Sequence, residues 1–189
     1  MRGLLHNITS FLRGFSRREE GSITIETVLM IPLYVTAFVT MFATFEVYRM
    51  HAVQQKVAFT IGDIISRETI PLDNSYMVGM RDLMKYLSET NVNSDVSLRI
   101  TVVRWDDDDN RHYLDWSEER GFRSALNNGD VLDLGDRLPV MSDNERVILV
   151  ETALKYDPPV DIGLGEFTIE NRVFTRPRYA PQVLYDTGA

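Results

Sequence analysis

The feature that most constrains this chain is an uncharged run near its N-terminus. From Thr27 to Phe45 the sequence reads TVLMIPLYVTAFVTMFATF, without a charged residue. As a helix this run would be roughly 28 Å long, close to the hydrocarbon thickness of a bilayer. A core helix of similar length normally has a polar face, whereas here only threonines are polar. The run therefore predicts a transmembrane helix, which we assign to residues 22–47.

The charges on either side of the run predict its orientation. The flank before the run carries Arg2, Arg13, Arg17 and Arg18. Because short basic flanks stay in the cytoplasm, we expect residues 1–21 to be a cytoplasmic leader and the chain after residue 47 to lie outside the cytoplasm. The protein would then be a single-pass membrane protein. A secretory signal peptide would have a shorter apolar region and a small-residue cleavage site after it, which this sequence lacks.

Polar residues and a proline within this segment also call for interpretation. Glu26 stands at the cytoplasmic edge, where a carboxylate either has a function or reaches back to lipid headgroups. Pro32 is expected to kink the helix or loosen its first turns. Thr36, Thr40 and Thr44 recur every four residues and so share one helix face. They predict either a packing stripe against another membrane helix or hydroxyls bonded to their own backbone four residues back.

Helical periodicity continues beyond the membrane segment. Apolar residues recur at helical spacing up to Pro71, which predicts one long helix over residues 23–69. Asp73, Asn74 and Ser75 offer capping groups for a second helix. Its expected apolar stripe is Tyr76, Met80, Leu83, Met84 and Leu87. Residues 48–92 are therefore assigned to an extracytoplasmic helical region.

A β-rich exported domain is expected over residues 93–189. Strands are predicted at 96–103, 113–116, 147–156 and 167–174, with a turn at 106–110 and a short helix near 118–126. The strand at 147–156 is apolar on both faces at first, so we place it centrally in the sheet. Trp105 and Trp116 are expected to pair across a hairpin, with an adhesive aromatic patch as the alternative. The predicted fold class is α+β, with a small antiparallel sheet packed on both helices.

The composition excludes several kinds of site. The chain has no cysteine and three histidines, and it contains no motif typical of a hydrolase, a phosphate-binding loop or a zinc protease. We therefore expect no enzymatic activity, no cofactor and no metal site. The acidic run Asp106–Asn110 could offer oxygen ligands to calcium, but it lacks the spacing of an EF-hand loop, and a solvated hairpin tip is the favoured interpretation. The net charge of -8 disfavours nucleic-acid binding.

The N-terminal segment resembles that of a known family. Residues 17–26 read RREEGSITIE, with Gly21 before Ser22 and Glu26 fifth after the glycine. This pattern is similar to the processing region of type IV prepilins. With Pro32, it more narrowly resembles the TadE/TadF-like minor pilins, or pseudopilins, of the tight-adherence pilus. Thr27 stands where these pilins commonly carry Phe or Tyr.

The C-terminal half also carries weaker marks of the same family. Tyr156-Asp157-Pro158 and Arg176-Pro177-Arg178 are similar to a strand end and a closing motif found in these minor pilins. The resemblance implies a pilin-like fold, in which a long N-terminal helix leads into a small sheet.

The resemblance implies a function in pilus assembly at a bacterial inner membrane, with the N-terminus in the cytoplasm and the C-terminal domain in the periplasm. A prepilin peptidase would cut between Gly21 and Ser22, and Glu26 would act in processing and assembly. The implied partners are that peptidase, a sister minor pilin, the major pilin, the inner-membrane platform and membrane lipid. The protein would support pilus biogenesis, adhesion and biofilm formation, and could enter an extracellular fibre. Two alternatives stay open: an uncleaved inner-membrane protein with a periplasmic interaction domain, and a pilus-tip adhesin.

Overall fold

The computed structural model describes residues 19–88, 95–158, 163 and 165–187. Residues 1–18 of the expected leader, which was predicted over residues 1–21, lie outside this part of the chain. The chain divides into two compact units, Met1–Phe45 and Glu46–Ala189. The second unit therefore includes both the helical region and the β-rich region expected after residue 47.

Helix α1 spans Glu19–Ser66, 48 residues, without interruption. It starts four residues earlier and ends three residues earlier than the periodicity predicts. The prediction took Pro71 as the stop, but the chain leaves the helix at Arg67, where the backbone N–H groups of Arg67 and Glu68 bond back three residues in a final turn. The sequence of α1 is apolar in the first unit and amphipathic in the second.

Helix α2 spans Asn74–Leu87 and begins at the predicted cap. The Asp73 carboxylate accepts a bond of 2.7 Å from the backbone N–H of Tyr76, which satisfies one of the free donors of the first turn. Its most buried side chains are Met77 and Met84. Met77 was absent from the predicted stripe, although it lies one turn before Met80 on the same side of the helix.

The four strands form one antiparallel sheet in the order β2-β1-β3-β4. Their bounds are Val96–Asp106 for β1, Arg111–Arg120 for β2, Arg146–Tyr156 for β3 and Phe167–Thr175 for β4. The α+β class, the four predicted strands and the central position of β3 are thus confirmed. Strand β2 is longer than predicted, and a bulge between Val102 and Val103 shifts its register against β1.

One face of the sheet packs on helices, as predicted. Val96, Leu98, Ile100 and Val102 of β1 share a buried cluster with Ile148, Val150 and Leu154 of β3, and with Val57, Ile61 and Ile65 of α1. Met77 and Met84 of α2 complete it. This cluster, which we call the core, belongs entirely to residues of the second unit.

The other face of the sheet is also covered, although the alternation of apolar and polar residues in β1 is typical of a strand with one solvated face. The segment after β2, residues 121–145, bonds to the polar side chains there. Arg99 donates to the Ser124 carbonyl at 2.9 Å, and the Ser117 hydroxyl accepts from the N–H of Leu126 at 3.0 Å. We call residues 121–145 the crossing segment. Because it covers this face, Ser97 and Thr101 are fully buried although they are polar.

Two local predictions were wrong. The short helix, α3, is at Asn128–Asp133 and not near residues 118–126, because Asn127 supplies a capping box with Asp130. A single 3₁₀ turn, Gly135–Arg137, follows it. The tryptophans do not pair with each other, because Trp105 faces His112 and Trp116 faces Val102 in the register of β1 and β2.

The C-terminal tail returns to the start of α2. Leu72 and Tyr185 form a parallel β-bridge. The N–H of Leu72 donates to the carbonyl of Leu184 at 2.8 Å, and the N–H of Asp186 donates to the carbonyl of Leu72 at 2.7 Å. The Trp116 indole donates to the carbonyl of Val183 at 2.7 Å and its ring packs on Tyr185. Val183 is buried in the core, so the tail is an integral part of the second unit.

Candidate functional site

The first part of α1 is the most distinctive surface of the described chain. From Ile23 to Phe38 every residue is exposed, and the large side chains of this stretch are mostly Ile, Val, Leu, Met, Tyr and Phe. Among the described residues, α1 is long and apolar enough to cross a membrane. Exposing so many consecutive apolar side chains to water is energetically unfavourable, whereas the hydrocarbon core of a membrane would stabilise them.

The residues of the proposed processing site lie at the start of this helix. The backbone of Gly21 and Ser22 belongs to α1, which begins at Glu19. Glu26 follows on the next turn and its side chain is exposed. The helix therefore places the carboxylate at the beginning of the apolar stretch, about 8 Å along the axis from Gly21 at 1.5 Å per residue.

The threonine hydroxyls are bonded to the helix itself. Thr36, Thr40 and Thr44 each donate to the carbonyl four residues earlier, at 2.8, 2.9 and 2.8 Å. Thr27 does the same to Ile23 at 2.8 Å. This geometry satisfies each hydroxyl donor within the helix, so the threonines can lie in hydrocarbon at little cost. All four side chains remain exposed on the helix surface, which also leaves them free to contact another helix.

Pro32 lies inside α1 without ending it. Its ring nitrogen cannot donate, so the carbonyl of Val28 lacks its usual helical partner. The Thr36 hydroxyl bonds to the carbonyl of Pro32 and adds a side-chain contact to the following turn.

The acidic tip between β1 and β2 is held by bonds to neighbouring protein groups. Asp106 accepts from Arg104 at 3.2 Å and from the N–H of Asp109 at 3.3 Å. Asp107 accepts from the Trp105 indole at 2.7 Å, and Asp109 accepts from the Tyr113 hydroxyl. No set of three or more metal-ligating side chains comes together in the described part of the chain. The carboxylates of the tip organise the hairpin turn.

The two described histidines have separate surroundings. His112 packs on Trp105, with ring centroids 4.6 Å apart, and burial lowers the pKa of His112. His51 stacks on Phe167 of β4 with centroids 6.5 Å apart. Neither ring has a hydrogen-bonded serine or carboxylate among the described residues that would make it a general base.

A surface cleft is a candidate site that the sequence did not suggest. It has a volume of about 400 Å³ and is lined by Pro139, Val147, Phe174, Thr175, Arg176 and Arg178. Both arginines already face carboxylates: Arg176 pairs with Glu145 at 2.5 Å and Arg178 with Asp63 at 3.0 Å. The motif Arg176-Pro177-Arg178 was noticed only as a family mark, since the cleft depends on a distant residue, Pro139.

Comparison with known proteins identifies no relative. No family model, no curated protein and no solved structure matches this chain.

Proposed function

We propose that this protein is a minor pilin, or pseudopilin, of a tight-adherence type pilus, and that it acts by assembly and not by catalysis. The observation that carries the proposal is α1, in which the large apolar side chains from Ile23 to Phe45 are exposed except for Val39, and in which residues 46–66 help to form the core of a small α+β unit. One continuous helix thus supplies both a membrane segment and a folding element. The sequence around Gly21 and Glu26 adds the processing motif.

In this proposal the first turns of α1 change chemically before assembly. A prepilin peptidase hydrolyses the peptide bond between Gly21 and Ser22, which leaves an α-ammonium on Ser22. Glu26 of one subunit then pairs with the ammonium of a neighbour. In a low-dielectric environment this attraction is several-fold stronger than in water, although the loss of hydration offsets much of it. The exposed position of Glu26 is compatible with such a pair.

The identity of the mature N-terminus tests the processing step. The full chain is expressed with the pilus peptidase and extracted from membranes, and its N-terminus is determined by mass spectrometry. We expect Ser22. An intact leader in the presence of the active peptidase would contradict the proposal and favour an uncleaved inner-membrane protein that uses its periplasmic unit to bind other proteins.

A charge-neutral substitution tests the assembly step. Glu26→Gln should leave membrane insertion unchanged and reduce co-purification with other pilus subunits at least tenfold. The matched control is Glu166→Gln, which removes the same charge from an exposed position outside the helix. Normal assembly by the Glu26→Gln protein would refute the role of the carboxylate.

The surroundings of the two tryptophans do not support the alternative of a pilus-tip adhesin with an exposed aromatic patch. Trp105 and Trp116 are both partly covered, one by His112 and the other by Tyr185, and each indole N–H is already bonded within the protein. They therefore stabilise the fold and do not form an open aromatic patch.

A further inference from the structure

Three polar side chains between α1 and the sheet lack partners for buried atoms. These atoms are Nε2 and Oε1 of Gln54, Oγ1 of Thr152 and Nδ2 of Asn171, and no described protein group bonds to them. Gln54 has no exposed surface and Thr152 is 1% exposed. A buried polar atom without a hydrogen bond costs about 1–3 kcal/mol, so four such atoms in one small unit require an explanation.

Thr152 and Asn171 are neighbours on the core face of the sheet. They are directly opposite each other in the pairing of β3 with β4. The flanking pairs on the same face are Leu154 with Ile169 and Val150 with Val173, all of which belong to the core or line it. The two polar side chains therefore form one polar spot in an otherwise apolar surface.

Contacts at two points fix where α1 crosses this surface. His51 stacks on Phe167, and a side chain added at Gly62 would touch Thr175 at 3.7 Å and Val150 and Val173 at 3.8 Å. Between these points the helix advances about 16 Å and the strand about 20 Å or slightly more, so helix and strand run side by side. Since Asn171 precedes Val173 by about 7 Å of strand and Thr175 by about 13 Å, it lies under the helix one to two turns before Gly62, between Gln54 and Ala58.

The helix carries a small side chain at this point and a polar one beside it. Ala58 is fully buried and its side chain is a single methyl group, so it fills less of the space between helix and sheet than a longer side chain would. Gln54 lies one turn earlier on the same face, about 6 Å away along the axis, and it has no exposed surface. Buried waters occur where several otherwise unsatisfied polar groups surround a small space, and each typically makes about three hydrogen bonds.

We infer that Gln54, Thr152 and Asn171 form a binding site for ordered water between α1 and the sheet. The Gln54 amide donates to and accepts from the water, the Thr152 hydroxyl donates or accepts, and Asn171 donates through Nδ2. The bridges connect α1, β3 and β4, and they fix the register of the helix on the sheet in a way that apolar contacts alone do not. This site is independent of the proposed function.

Magnetisation transfer from water tests the site directly. In the full chain in detergent micelles, the side-chain amide protons of Gln54 and Asn171 should show cross-relaxation with the sign typical of water bound for longer than nanoseconds. The amide of Gln55 is exposed on the same helix and serves as the control, because its water exchanges rapidly. Absence of the signal at both buried amides would overturn the inference.

Two substitutions provide an independent test, because their effect on the unfolding equilibrium constant has opposite signs for an interface that holds water and for one that does not. Gln54→Leu and Thr152→Val remove polar atoms with little change of volume. If water bridges these groups, each variant should increase the unfolding equilibrium constant about tenfold, because the remaining partners lose their bonds. If the interface is dry, both variants should decrease it, which would also overturn the inference. Gln55→Leu controls for the general effect of replacing glutamine by leucine on this helix.

Discussion

Gly121 occupies a position that only glycine can fill. Its φ of +148° lies in a region that other residues rarely adopt. A Cβ atom there would lie 2.4 Å from the Val96 carbonyl oxygen and 2.5 Å from the Ser97 Cα. Gly121 ends β2 and begins the crossing segment, so the close approach of its backbone to β1 is what turns the chain onto the second face of the sheet.

Gly121→Ala should therefore destabilise the protein strongly. We expect the free energy of unfolding to fall by about 3 kcal/mol or more, because backbone atoms of β1 must move. Gly79→Ala is the matched control, since an added methyl group meets no atom within 4 Å in the middle of α2. That change should raise stability by about 0.5–1 kcal/mol. Chemical denaturation followed by tryptophan fluorescence measures both, and similar effects would contradict the argument.

His112 should make the fold sensitive to mild acid. Burial lowers the pKa of His112 in the folded state, so the unfolded chain binds the proton more readily. Stability from this residue is present above the ordinary histidine pKa of about 6.5 and is lost as the pH falls towards the folded pKa. Because the ring is only partly covered, we expect a loss below about 1 kcal/mol. Denaturation at pH 7.5 and 5.5 should show a smaller difference for His112→Gln than for the original chain, and equal differences would exclude this role.

At the scale of elements, the polar face of the sheet depends on one carboxylate. Glu151 of β3 is 2% exposed and lies between two arginines of the neighbouring strands. Arg99 of β1 approaches it at 2.6 Å and Arg172 of β4 at 2.8 Å. Arg99 also bonds to Ser124, so the same network holds the crossing segment on the sheet. The register of three strands places these groups together, since Glu151 pairs directly with both arginines.

Removing this carboxylate should cost more than removing either arginine. Glu151→Gln leaves two cations facing each other without a counter-charge, and we expect a loss of about 3–5 kcal/mol. Arg172→Gln should cost less, because Arg99 still neutralises Glu151. Glu170→Gln, at an exposed pair with Arg123, should have little effect. Urea denaturation gives the ranking, and an equal loss for the variants at 151 and 172 would refute the central role of Glu151.

The sequence predicted the positions of helices and strands better than it predicted which parts of the chain pack against them. Short runs of apolar residues located β1, β3 and β4, and Asp73 located the start of α2, because these signals depend on a few adjacent residues. The covering of the second face could not be predicted, since Ser97, Arg99 and Thr101 are typical of a solvated strand face. Arg99 bonds to Ser124 of the crossing segment, whereas Ser97 and Thr101 bond to Glu119 and Ser117 of β2. These are contacts between residues that are distant in the sequence. The end of β2 was missed because Glu118 and Glu119 are uncommon strand residues.

The features of the candidate sites also divide into those that the local sequence predicts and those that depend on contacts between distant residues. The apolar segment is a local property of the sequence, and the helix with its exposed side chains is confirmed as one that could span a membrane. The roles of Gly21, Ser22 and Glu26 remain predictions from the motif. The polar spot at Thr152 and Asn171 was invisible in the sequence, because threonine and asparagine in strands usually face water. The pairing of β3 with β4 is what places the Thr152 hydroxyl and the Asn171 amide nitrogen side by side, away from solvent.

For the whole molecule, the core and the membrane segment use different parts of α1. The core cluster contains Met50, Val57, Ile61 and Ile65 from the helix, all of which follow residue 45. The large side chains from Ile23 to Phe45 are exposed except for Val39, and none of them belongs to this cluster. The burial of apolar surface that stabilises the second unit therefore comes from residues after 45.

This division predicts the outcome of two truncations. A chain that begins at Glu46 should fold cooperatively in water, because it keeps every residue of the core cluster. A chain that begins at Glu68 should not fold, since it loses four buried side chains worth about 2–4 kcal/mol each, together comparable with the 5–15 kcal/mol that stabilises a typical domain. Thermal unfolding monitored by circular dichroism distinguishes them: a sharp transition is expected for the first chain and none for the second. An unfolded first chain would show that residues before 46 are needed for the fold, and a folded second chain would show that α1 serves the membrane alone.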